Sequence, residues 1–214
     1  TNRTCEVKCE EGFLGGSGLV SCPFDATFGT AATTSLSCVE ISCNSYDFEE
    51  GITSVPFGGC VSGDSLTTHT NSECGIQCKS GYSSPDGNNI GTVRCARNST
   101  SNADPIVSLV CTENRCAPLE LPPQLEYYND GFSTSCVENQ VLSTQTNVSC
   151  DVSCAQGYSG TGGIAECNSN SNAGASPVIS TSCFEITCSP YVFMDGITGD
   201  DTVPGVRDVR ARSA

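Results

Sequence analysis

An all-β chain of tandem small disulfide-rich modules, strung out as an elongated beads-on-a-string array, is what this sequence predicts, and three observations carry the prediction. Cysteine fills 17 of 214 positions, a density of about 8%, close to the level at which composition alone marks a disulfide scaffold. The cysteines recur at intervals of 72 or 73 residues, and a fixed period of that kind signals a repeat architecture. Between them run short alternating apolar segments and turn residues, and no stretch supports an amphipathic helix of three turns.

The period is carried by whole motifs. Cys22, Cys95 and Cys167 are separated by 73 and 72 residues, as are Cys38, Cys111 and Cys183, and again Cys43, Cys116 and Cys188. Cys9-Glu10-Glu11-Gly12-Phe13, Cys78-Lys79-Ser80-Gly81-Tyr82 and Cys154-Ala155-Gln156-Gly157-Tyr158 are one motif, C-x2-G-[FY], each with another cysteine four positions upstream. Cys38 to Cys43, Cys111 to Cys116 and Cys183 to Cys188 are a second, C-x4-C. The runs Gly18 to Cys22, Gly91 to Cys95 and Gly163 to Cys167 each place an apolar residue two before a cysteine, the alternation of a half-buried strand. Ser83 to Asn89 and Asn168 to Pro177, rich in Ser, Asn, Gly and Pro, read as surface loops.

Taken together, one unit reads Cys, about 17 to 20 residues to a second Cys, 14 more to a third, then C-x3-C-x2-G-[FY], a Gly-bearing loop and C-x15-C. This pattern resembles the sushi, or complement control protein (CCP), module, and the resemblance covers the whole chain. Glu50-Gly51, Asp130-Gly131 and Asp195-Gly196 stand where that family places an N-G-like turn, and Pro122 and Pro123 lie in one leader. Two departures are plain. The Trp usual before the closing cysteine is missing, and each unit carries an additional pair, Cys60 with Cys74 and Cys136 with Cys150, making a divergent six-cysteine version. EGF-like repeats fit less well, being shorter in period and denser in cysteine.

Six cysteines admit 15 connectivities, so spacing leaves the pairing open. The resemblance implies first to third and second to fourth: Cys43 with Cys95, Cys78 with Cys111, Cys116 with Cys167, Cys154 with Cys183, and Cys9 with Cys38. The additional cysteines then pair as Cys60 with Cys74 and Cys136 with Cys150. Cys5, Cys22 and Cys188 are left unpaired within the segment or bonded between chains. The implied organisation is the C-terminal part of a module (1–42), two complete modules (43–115 and 116–187), and the start of a further module with a polar tail (188–214). A unit of about 72 residues is marginal by its core alone, and bridges closing long loops contribute on the order of 2 to 4 kcal/mol each.

Thiols at this density point to a secreted, extracellular or cell-surface protein. The sequons at Asn2, Asn98 and Asn147 point the same way, as candidate N-glycosylation sites. A formal charge of -15 argues against nucleic acid or anionic membrane as a direct partner. No apolar run approaches the roughly 20 residues that span a bilayer, which argues against direct membrane insertion. The chain opens at Thr1 without a start Met or signal-peptide core, and reads as a mature or excised portion of something longer.

No catalytic residue and no metal site is expected. The single histidine, His69, sits in the polar run Thr67 to Asn71 and reads as a solvent-exposed loop residue, since a triad or zinc site lacks its other members. Glu49-Glu50, Asp200-Asp201 and the surroundings of Asp130 carry no D-x-[DN]-x-[DN]-G loop, so calcium is unsupported and turn chemistry explains them better. No cofactor is expected beyond N-linked glycans. The basic stretch Arg207, Arg210, Arg212 holds an R-x-x-R processing pattern but reads first as a polar tail.

These features suit a structural extracellular glycoprotein, a repeat-module subunit of a surface coat, fibre or flagellar hair-like filament, because stacked repeats add length without a larger core. The alternative is a cell-surface adhesion or ligand-recognition array of the receptor or complement-regulator kind. An inhibitor or enzyme-appended module comes third. The expected partners are other copies of the chain or neighbouring modules of a longer array, and protein ligands under the alternative. Cys22 and Cys188 occupy third-cysteine and first-cysteine slots of incomplete modules, which would let head-to-tail copies complete one another.

Overall fold

The computed structural model describes residues 4–127 and 134–188. All regular structure among them is strand, in pieces of two to six residues, and no helix occurs among the described residues. Short strands follow from the sequence: turn residues interrupt every apolar run before it can lengthen, so each strand gains its stability from cross-strand packing and sulfur bridges.

One plan repeats along the chain. In the second unit an antiparallel sheet runs in the order Ile106–Val107, Ile90–Arg94, Glu73–Cys78, Ile52–Ser54. In the third the same order is Val178–Thr181, Gly163–Glu166, Ser149–Cys154, Leu125–Tyr127. The first unit shows the corresponding Thr33–Thr34, Ser17–Ser21 and Thr4–Lys8. The runs ending at Cys22, Cys95 and Cys167 are thus inner strands of three equivalent sheets. Period-2 alternation turns Ile76 and Val93 inward in the second unit and Val152 and Ala165 in the third, all at most 3% exposed.

Each complete unit encloses its own small core. Ile52, Leu66, Ile76, Val93 and Leu109 pack around the bridge between Cys43 and Cys95. Leu119, Leu125, Leu142, Val152 and Ala165 pack around that between Cys116 and Cys167. Before the closing cysteine, where the resemblance leads one to expect Trp, Leu109 is buried and Ile179 packs against the core.

Seven disulfides form: Cys9–Cys38, Cys43–Cys95, Cys60–Cys74, Cys78–Cys111, Cys116–Cys167, Cys136–Cys150 and Cys154–Cys183. They are the pairs that the resemblance implies. Cys5, Cys22 and Cys188 carry free, exposed thiols. With cores of this size, the staples supply much of what keeps each unit folded. No helix among the described residues is long and apolar enough to cross a membrane.

Candidate functional site

A recurring two-strand ribbon closes each unit, and the first two of these ribbons present the surface on which the next unit sits. It pairs Phe13–Leu14 with Val39–Glu40, Tyr82–Ser83 with Thr112–Glu113, and Tyr158–Ser159 with Phe184–Glu185, in the same register each time. The glycine before the aromatic residue holds a left-handed backbone, with φ of 92° at Gly12, 81° at Gly81 and 92° at Gly157. That conformation is open to glycine at little cost. It lets the glycine carbonyl receive the amide of the residue after the glutamate: Ile41 at 2.9 Å, Asn114 at 2.8 Å and Ile186 at 2.9 Å.

The partner surface is a turn inside the additional disulfide. Cys60–Cys74 encloses Thr67-Thr68-His69-Thr70-Asn71, and Cys136–Cys150 encloses Ser143-Thr144-Gln145-Thr146-Asn147. Both read [ST]-T-x-T-N, and both close on themselves: the Thr67 amide donates to the Asn71 carbonyl at 2.9 Å, and the Ser143 amide to the Asn147 carbonyl at 2.8 Å. The first hydroxyl of each turn accepts back from the asparagine amide, at 3.0 and 2.9 Å.

Four groups common to both turns grip the ribbon of the preceding unit. The buried hydroxyl of Thr68 donates to the Gly12 carbonyl, and that of Thr144 to the Gly81 carbonyl. The Thr68 and Thr144 amides donate to the carbonyls of Ile41 and Asn114, each at 3.0 Å. The glutamate of the ribbon then takes the second threonine: Thr70 Oγ1 donates to Glu40 Oε2, and Thr146 Oγ1 to Glu113 Oε1, both at 2.7 Å. The Thr70 and Thr146 amides reach the same carboxylates, and Glu40 also receives the His69 amide. Donors arranged this way favour the ionised acid. The Thr70 hydroxyl, foremost, holds the Glu40 carboxyl down at about 2, and the Thr146 hydroxyl lowers that of Glu113.

His69 corrects one expectation. It is half-buried at the first junction rather than solvent-exposed: Nε2 donates to the Glu11 carbonyl at 3.0 Å, and the ring lies 4.5 Å from that of Phe13. At the other junction the loop expected at the surface is mostly exposed, and it also lends carbonyls to the joint. The loop from Asn168 to Pro177 is part of the joint, with Asn114 Nδ2 donating to the Ser171 carbonyl at 2.7 Å and the Ala117 amide to Ala175 at 2.8 Å.

Other candidate residues fall as follows. Asn98 and Asn147 are exposed, and Asn98 stands at the lip of a cleft of about 530 Å³ beside the first junction. Asn2, Asp130, Gly131, Asp195, Gly196, Asp200, Asp201 and the arginines from Arg207 to Arg212 lie outside the described residues. Gly51 takes a left-handed turn, as its slot requires, and Glu50 receives the Tyr82 hydroxyl at 3.1 Å. Among the described residues no group of three His, Cys, Asp or Glu side chains is placed to hold a metal ion.

The junction turn is the feature that a reading by cysteine register passes over. Its signal was present, since Thr-Asn stands four residues before both Cys74 and Cys150. In comparisons with known proteins, no family model and no curated protein matches this chain.

Proposed function

We propose that this chain is part of a structural extracellular glycoprotein: an array of divergent six-cysteine sushi-like modules that builds a surface coat, fibre or hair-like filament. The observation that supports it is the duplicated junction. A Thr-x-Thr turn on a ribbon glutamate and glycine recurs at both joints, each strapped by its own disulfide, and a joint repeated in this way makes a rod rather than a flexible string. Seven bridges suit an oxidising, secreted or cell-surface setting. Sugars on Asn98 and Asn147, and on Asn2, coat the rod. It works without catalysis, metal or cofactor, its partners being other copies or neighbouring modules, and Cys22 with Cys188 cross-links copies head to tail. Electron microscopy of purified chain tests the reading: regular filaments support it, and a monodisperse monomer at high concentration counts against it. A non-reducing disulfide map reads the Cys22–Cys188 link directly.

An adhesion or ligand-recognition array is the second reading, favoured by the loop aromatics Phe24 and Phe57, 92% and 93% exposed. Such rings are the usual anchors of a protein interface. Alanine at both positions abolishes binding to a candidate cell surface under this reading and leaves filaments unchanged under the first.

A further inference from the structure

The third ribbon, Tyr158–Ser159 with Phe184–Glu185, repeats the geometry of the other two and carries no turn among the described residues. A methyl group built on Gly12 meets His69 Nε2 at 2.7 Å, and one on Gly81 meets the Ser169 carbonyl at 2.1 Å and Gln145 Nε2 at 3.1 Å. On Gly157 it meets nothing within 4 Å. Ile186 is 57% exposed, where its counterparts Ile41 and Asn114 are 7% and 4% exposed. The Glu185 carboxylate has no hydrogen-bond partner among the described residues, whereas Glu40 and Glu113 each hold a threonine. A cleft of about 530 Å³ opens beside Tyr158 and Ile186.

We propose that Gly157, Glu185 and Ile186 form a socket whose ligand is a disulfide-closed [ST]-T-x-T-N turn presented by a further module of this kind. Both occupied examples define the chemistry required of it. The turn brings a threonine hydroxyl to the Gly157 carbonyl, the same residue's amide to the Ile186 carbonyl, and a second threonine to the Glu185 carboxylate. Residues 188–214 contain no T-x-T-N sequence. The turns of residues 67–71 and 143–147 are already engaged at Gly12 and Gly81. Every unit nevertheless carries the motif's trace, for Thr1-Asn2 precedes Cys5 by the same interval as Thr70-Asn71 precedes Cys74. The additional disulfide thereby gains a role: Cys60–Cys74 and Cys136–Cys150, each spanning 14 residues, hold the ligand turn in its bound shape before it docks.

The proposal holds for any tandem array and is independent of filament formation, so a monomer in the micrographs leaves it intact. The test uses the full ¹⁵N-labelled chain and, as probe, a synthetic peptide of residues 136–150 closed by its own Cys136–Cys150 bridge. Saturable shifts at the amides of Gly157, Glu185 and Ile186 are expected, with those of Gly12 and Gly81 unmoved. Glu185→Gln in the chain, or Thr146→Ala in the peptide, weakens binding roughly tenfold by removing charge-assisted hydrogen bonds. A second variant, with residues 116–187 grafted in place of 188–214, covers a peptide that does not keep its shape. There amide exchange from Phe184 to Thr187 slows, and Glu185→Gln restores it. Unshifted amides with the peptide together with unchanged exchange in the graft overturn the proposal, as does indifference of both to Glu185→Gln.

Discussion

The two occupied junctions share a hydrogen-bond frame and differ in what fills it. At the first, Ile41 is buried and the His69 ring lies against Phe13, with an open cleft alongside. At the second, Asn114 takes the isoleucine's place, its side-chain amide held by the Ser171 carbonyl, and Gln145 takes that of the histidine. The threonine hydroxyl on the glycine carbonyl and the paired contacts on the glutamate are the same at both. The lesson is a division of labour. Backbone and hydroxyl groups set how one unit sits on the next, and the side chains in the gap are free to vary provided that each buried polar group finds a partner.

The largest effects are expected where glycine itself is replaced. Gly81→Ala sets a Cβ against a backbone carbonyl, and Gly12→Ala sets one against side chains, both in a left-handed backbone. Such strain costs about 1–3 kcal/mol, with the clash in addition. Thermal unfolding should rank the losses Gly81→Ala, then Gly12→Ala, then Gly157→Ala, which pays for strain alone. An equal loss at all three would show that the following unit does not crowd Gly12 and Gly81.

Exchanging the fillers comes next. Ile41→Asn buries an amide with no Ser171 to receive it and should cost about 1–3 kcal/mol. Asn114→Ile leaves the Ser171 carbonyl bare and should cost less, since that group can turn to water. Urea midpoints of the two variants measure the asymmetry, and a costlier Asn114→Ile would reverse the account given of the fillers.

Removing one hydroxyl is a smaller step. Thr68→Val and Thr144→Val, each at a residue 1% exposed, should cost about 1 kcal/mol apiece and by similar amounts, because the lost bond is the shared one. Amide exchange at Ile41 and Asn114 reads each junction separately.

The gentlest perturbation is acid. The Glu40 carboxyl is lowered from 4.5 to about 2 in the folded chain, so its contribution is complete above about 4.5 and lost as pH falls towards 2. Glu113 is lowered as well, and its junction loosens in the same direction. Following the Thr70 and Thr146 amides by NMR over this range should show both junctions opening on acidification. Glu40→Gln should flatten the response at Thr70 alone.

Much of this architecture was legible along the chain, because cysteine spacing is a one-dimensional record of a three-dimensional constraint. The C-x4-C and C-x2-G-[FY] motifs locate the closing ribbon and its glycine, and alternation before Cys22, Cys95 and Cys167 locates the inner strands. His69 was not legible. Its neighbours in sequence are polar, and nothing local indicates that Phe13, more than fifty residues away, will meet its ring. The loop from Asn168 to Pro177 is mostly exposed, as its composition indicates, but the contact of its Ser171 carbonyl with the second junction was not legible, for the same reason.

From residue order alone come the repeat, the all-β class and the positions of the cysteines, since these depend on spacing and local alternation. The pairing of those cysteines is what the resemblance to sushi modules implies and the folded chain shows. Which faces meet, that the additional disulfide frames a docking turn, and that Glu40 and Glu113 are occupied while Glu185 stands open among the described residues were decided only by the folded arrangement. Those are contacts between segments distant in sequence, made by carbonyls and hydroxyls found all along the chain, and only their placement in space distinguishes the ones that join units.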